Sequence, residues 1–103
     1  MSRRAARLQP SLDEKAEEVA LLLGAMANAK RLIVLCNLIE SEKSVGELAG
    51  IVGLSDAALS QHLAKLRMQG LVQTRREGQT IYYRLASEKV KTVLSTLYEI
   101  YCA

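Results

Sequence analysis

Between Ser44 and Leu66 the chain encodes two helices with a stop between them. Ser44 and Glu47, three places apart, form a capping box, which predicts a helix from Val45. Val45, Leu48, Ala49 and Val52 then recur at helical spacing. Gly53 supplies the left-handed backbone angle of a helix exit, Leu54 packs inward, and Ser55 caps a second helix. Leu59, Leu63 and Leu66 share one side of that second helix, while Ala57, Ser60, Gln61, Ala64 and Lys65 face away. Two helices joined by a short glycine turn make a helix-turn-helix. The outward face suits a DNA groove: its small residues let the backbone come close, Gln61 reaches a base edge and Lys65 a phosphate. The same stretch also fits an ordinary packed helix pair with a solvated polar face.

Charge placement favours DNA. Residues 55–84 hold five bases (Lys65, Arg67, Arg75, Arg76, Arg84) against two acids (Asp56, Glu77), while the remaining residues balance nine bases with nine acids. The whole net charge of +3 therefore falls on the second helix and the segment after it, the footprint of a polyanion-binding face. A length of 103 residues fits one domain, and the four aromatics, all Tyr, require an aliphatic core. The longest apolar run, Val19 to Ala27, is well short of the roughly 18 residues of a bilayer span, and no signal core follows the basic start. A cytoplasmic protein with reduced thiols, and no membrane partner, is the expectation.

Residues 1–10, with Arg3, Arg4 and Arg7, are expected to form a flexible basic arm, and residues 11–103 the folded domain. Ser11 and Glu14 predict a capped first helix. That helix carries two apolar stripes, Leu12–Ala16–Val19–Leu23–Met26 and Leu21–Leu22–Ala25, where a surface helix needs one. Asn28 predicts a helix over about Ala29 to Glu40, whose first turn holds Lys30 and Arg31 against the dipole; a docked phosphate at Arg31 would relieve that conflict, and tolerated exposed bases explain it equally well. Gly70 ends the helix-turn-helix. Leu71–Arg76 and Gln79–Arg84 predict two strands turning at Glu77-Gly78: a wing, with Arg75, Arg76, Gln79 and Thr80 at its tip. Ser87 caps a last helix, Glu88 to about Cys102, whose broad apolar face (Val90, Val93, Leu94, Leu97, Ile100, Tyr101) exceeds what one subunit covers. The fold class is thus mainly α (α+β): a winged helix-turn-helix of five helices and one hairpin. It would pair as a twofold homodimer through the first and last helices. Two reading helices would then meet half-sites of palindromic double-stranded operator DNA roughly 34 Å apart. The predicted DNA contacts are Ser55, Asp56 and Ala57 at the helix head, Ser60, Gln61 and Lys65 along it, the four wing-tip residues, and Arg31.

This order of elements, with AMANAKRL at 25–32, SVGEL at 44–48, LSQHLAKLR at 59–67, GLV at 70–72 and TRREGQTIYYRL at 74–85, resembles the ArsR/SmtB family of winged-helix repressors over about residues 12–102. The resemblance implies a dimeric bacterial repressor that leaves its operator when an inducer binds. Two metal sites of that family lack their ligands here: Ser44–Leu48 has no cysteine, and the last helix has Glu88 and Glu99 but no His or Asp. Metal sensing by those sites is not expected, no cofactor is implied, and nothing suggests an enzyme. The lone His62 lies in the DNA-reading helix.

Cys36, within LCNL, and Cys102, within LYEIYCA, look like the thiol pair of the family's dithiol branch, the BigR-, SqrR- and HlyU-like regulators that sense persulfides or oxidants. The resemblance implies that reactive sulfur species attack the more accessible thiolate, that the two cysteines become linked directly or through extra sulfur atoms, and that the link releases the operator. Two alternatives stay open. One is a NolR-like repressor whose cysteines only pack and whose inducer differs. The other is a thiol-based metal sensor completed by the second subunit.

Overall fold

The computed structural model describes residues 12–102. Helix α1 (Ser2–Met26) is described from Leu12 onward; the arm expected at residues 1–10 and the Ser11 cap lie outside the described residues. Helix α2 (Ala29–Asn37) leaves α1 at a bend of 100°. Asn28 caps it by accepting from the Arg31 amide, as its sequence position predicts. The helix stops three residues before the expected Glu40. Its end tightens, with the Leu38 amide donating to the Leu35 carbonyl and that of Ile39 to Cys36, and Leu38 turns into the core. A short strand comes next, β1 (Lys43–Ser44), which sequence reading missed because two residues carry no alternation signal.

Helix α3 (Val45–Val52) starts at the predicted capping box: Ser44 Oγ accepts from the Glu47 amide, and the Glu47 carboxylate accepts from the Ser44 amide. Gly53 ends it at φ +76, an angle a Cβ would strain, and Ser55 caps α4 (Asp56–Met68). Gly70, also at positive φ, turns the chain into the hairpin β2 (Val72–Glu77) and β3 (Thr80–Leu85). Glu77 pairs with Thr80, so the connection is Gly78-Gln79, one residue later than predicted. Gly78 takes φ +63 at the first turn position, the place where a two-residue hairpin needs positive φ. β1 pairs antiparallel with β3, giving a three-stranded sheet in the order β1-β3-β2. Helix α5 (Glu88–Cys102) closes the fold.

The core is aliphatic. Val34 and Leu35 of α2, Leu48 of α3, Leu59, Leu63 and Leu66 of α4, and Leu94 of α5 are wholly enclosed. The predicted inward side of α4 is thus the buried side, which fixes its polar side outward. α1 and α5 keep large apolar side chains in solvent: Leu21 is 53 % exposed, Leu23 55 %, Ile100 66 % and Tyr101 80 %. No single helix is long and apolar enough to cross a membrane.

Candidate nucleic-acid interface and thiol pair

Burial of three leucines at i, i+4 and i+7 turns the opposite side of α4 to solvent. Asp56, Ala57, Ser60, Gln61, Ala64 and Lys65 are all exposed there, and Ser55 is exposed at its cap. Asp56 stands in the first turn, where a carboxylate meets the positive end of the helix dipole. This accounts for an acid at the head of an otherwise cationic helix. Lys65 and Arg67 lie in the last turn, favoured by the opposite pole, and neither meets a carboxylate among the described residues. His62 is half-buried. Met68, the last residue of α4, is 89 % exposed, which no sequence signal singled out.

On the wing, Arg76, Gln79 and Thr80 are exposed, and Arg76 also lacks an acidic neighbour among the described residues. Arg75 is different. Its guanidinium donates to the Glu42 carboxylate, with Nε at 2.9 Å, and to that of Glu77, and it lies 4.7 Å over the Tyr82 ring. The Glu42 bond above all, then the Glu77 bond, holds the guanidinium pKa above its usual value, and the same contact lowers the Glu42 carboxyl. Arg75, expected from sequence as a wing-tip DNA contact, is thus held at the surface by two carboxylates of its own chain, joining the wing to the loop before β1. Arg84 donates to Gln73 across the strands.

Arg31 is likewise committed. Its Nε donates to the Ala25 carbonyl at 3.0 Å and its Nη2 reaches the Gly24 carbonyl at 3.5 Å, so it caps the end of α1. Lys30 donates to the Val52 carbonyl at the end of α3. The two bases that oppose the dipole of their own helix satisfy the negative ends of two neighbours. Arg31, expected from sequence as a phosphate contact, has these carbonyl partners within its own chain because a 100° bend brings the end of α1 beside the start of α2.

Cys36 and Cys102 are both free thiols. Cys36 is half-buried against the core and Cys102 exposed at the end of α5. Packing of α2 on α5 brings them near enough that negative charge on Cys102 raises the Cys36 pKa, in addition to the larger effect of burial. A cleft of about 270 Å³ opens beside Cys36, walled by Asn37, Ile39, Glu40, Lys43 and Tyr98. Among the described residues no three His, Cys, Asp or Glu side chains gather as a metal site.

A profile described as "Bacterial regulatory protein, arsR family" matches residues 28–74. The chain is similar to the nodulation protein NolR of Rhizobium meliloti, 54 % identical over 91 % of this chain and 77 % of the relative. Its fold is similar to that of reduced HlyU from Vibrio cholerae N16961, with TM-score 0.86 at 47 % identity, covering 90 % of this chain and 98 % of the other. It is also similar to a homodimeric winged helix-turn-helix DNA-binding domain from Mycobacterium bovis, with TM-score 0.75 at 33 % identity, covering 97 % and 85 %. With the capped helix pair, the cationic wing and these likenesses together, the chain belongs to the ArsR family of bacterial winged-helix transcriptional regulators.

Proposed function

We propose that this regulator is a cytoplasmic homodimeric repressor of a palindromic operator, released when reactive sulfur species or an oxidant link Cys36 to Cys102. Dimerisation is supported by the uncovered apolar side chains of α1 and α5 and by the homodimeric relative. Twofold symmetry would set two α4 helices at half-sites one DNA turn apart. Gln61 and Ser60 would read base edges, with Ala57 close to the groove floor, while Lys65, Arg76, Gln79 and Thr80 follow the backbone. Ser55 and Asp56, exposed at the head of α4, would lie at the same surface.

The observation that carries the regulatory half is the thiol pair itself. One sulfur is accessible and the other partly buried, on two helices that pack together, and charge on Cys102 reaches Cys36. A link between them ties α2 to α5, the helix placed at the subunit contact, and a small rotation between subunits would then spoil the half-site spacing. A hundredfold loss of operator binding needs only about 2.7 kcal/mol between the two states. Electrophoretic mobility shift with persulfide-treated protein tests this: wild type is expected to leave the DNA and both single Cys→Ser variants to stay. A second reading, in which Cys36 is a packing residue and the inducer is something else, is favoured by its place against the core and the NolR likeness. Native thiols that resist labelling at both positions would support that reading.

A further inference from the structure

The cleft beside Cys36 carries an acid, a base and a thiol in its lining. It is bounded by the α2 residues Cys36 and Asn37, by Ile39 and Glu40 just after them, by Lys43 of β1 and by Tyr98 of α5. Its volume of about 270 Å³ falls below the ~300–1,000 Å³ of sites for drug-sized ligands, so it suits something smaller. It presents one acid and one base, and among the described residues neither is in an ion pair; the Lys43 ammonium donates to the Ser41 hydroxyl. Tyr98 and Cys102 are four residues apart on α5, so they stand on one side of that helix, one turn from each other. A molecule in the cleft thus has Cys36 in its wall and Cys102 one turn beyond another wall.

We propose that this cleft binds a zwitterionic amino-acid persulfide, with the donor's carboxylate at Lys43, its ammonium at Glu40 and its terminal sulfur toward the thiol pair. The assignment rests on the persulfide-sensing reading above and names its substrate class. The exposed Cys102 thiolate attacks the outer sulfur of R–S–SH: the new Cys102–S bond forms, the donor S–S bond breaks, and the donor leaves as R–S⁻. Cys36, its thiol proton lost to water, then attacks the inner sulfur of the Cys102 persulfide. The Cys36–Cys102 disulfide forms and HS⁻ leaves with the former outer sulfur. Two thiols are oxidised and one sulfane sulfur is reduced to sulfide, so no further oxidant enters. Cys36 is the slower partner, since burial and the neighbouring Cys102 hold its proton on.

The test compares cysteine persulfide with the uncharged 2-hydroxyethyl persulfide, following modification of Cys36 and Cys102 by mass spectrometry in the full-length protein and in Glu40→Gln and Lys43→Met. Wild type is expected to react faster with cysteine persulfide. Each variant is expected to lose about tenfold of that rate, the factor matching about 1.4 kcal/mol of lost charge-assisted hydrogen bonding, while its rate with the uncharged donor holds. Unchanged operator affinity of the reduced variants checks that they are folded. Equal rates for both donors in wild type, or equal losses for both in the variants, would overturn the zwitterion site alone. Wild type that neither donor modifies would overturn the persulfide-sensing reading as well.

Discussion

The Arg75 guanidinium clasps the Glu42 carboxylate across 33 residues of sequence, fastening the wing to the loop that runs from the Cys36 cleft to β1. Only six residues lie between Cys36 and Lys43–Ser44, which pairs with Tyr83 and Tyr82 of the wing. The thiol cleft and the wing are therefore held by one short strap.

Glu42→Gln is expected to weaken operator binding in a fluorescence-anisotropy titration, although it removes a negative charge from a DNA-binding protein. If Glu42 merely neutralised Arg75, the same change would tighten binding. The contact also has a pH sign. Arg75 lowers the Glu42 carboxyl from its ordinary value of 4.5, so its contribution is present above that pH and is lost as the pH falls through the lowered value. Thermal melts of wild type should drop more steeply than those of Glu42→Gln in that acid window.

Base reading and phosphate binding separate experimentally. Gln61→Ala is expected to cost ~1–3 kcal/mol on the operator and little on random DNA, relaxing preference at one base pair. Lys65→Ala and Arg76→Ala are expected to weaken both DNAs and to lower the salt slope by about one each. Equal losses for Gln61→Ala on both DNAs would remove it from the reading face.

Leu35, wholly enclosed, and Ser44, a cap with a reciprocal partner, stabilise the fold on different scales. Leu35→Ala is expected to cost about 2–5 kcal/mol in urea unfolding, through lost transfer energy and a cavity. Ser44→Ala is expected to cost about 1 kcal/mol, through one lost cap. A reversed order would contradict the placement of the core.

Four caps among the described residues were legible: Asn28, Ser44, Gly53 and Ser55 act where the sequence places them, because a cap depends on its own residue type and neighbours within a turn. The outward side of α4 was legible for a similar reason, since three leucines at helical spacing leave one orientation. The intrachain partners of Arg31 and Arg75, Ala25 and Glu42, were not legible because they are set by a bend and by the sheet, which no local pattern encodes. β1 escaped notice for the same cause: it exists only because Tyr82 and Tyr83 lie beside it. The cysteine pair came from a resemblance, and the cleft beside it came from the structure alone.

Cys36 should be the slower thiol. Burial first, and Cys102 second, raise its pKa above the ordinary 9.0, so its labelling by iodoacetamide is expected to have a pH midpoint above that value and to lag Cys102 at neutral pH. The sign for stability is opposite in direction to that of Glu42: the native state keeps the Cys36 proton longer than the unfolded chain, so stability falls as pH rises past 9.0. Replacing Cys102 with Ser removes the charge and is expected to bring the Cys36 midpoint down.

The most direct measurement of the regulatory claim is operator affinity before and after persulfide treatment, in wild type, Cys36→Ser and Cys102→Ser, with the sulfur linkage followed in the same samples by mass spectrometry. The expected result is a loss of about a hundredfold in wild type alone, in step with the Cys36–Cys102 link and reversed by reductant. Release of either single-cysteine variant, or a linked wild type that still holds its DNA, would contradict it.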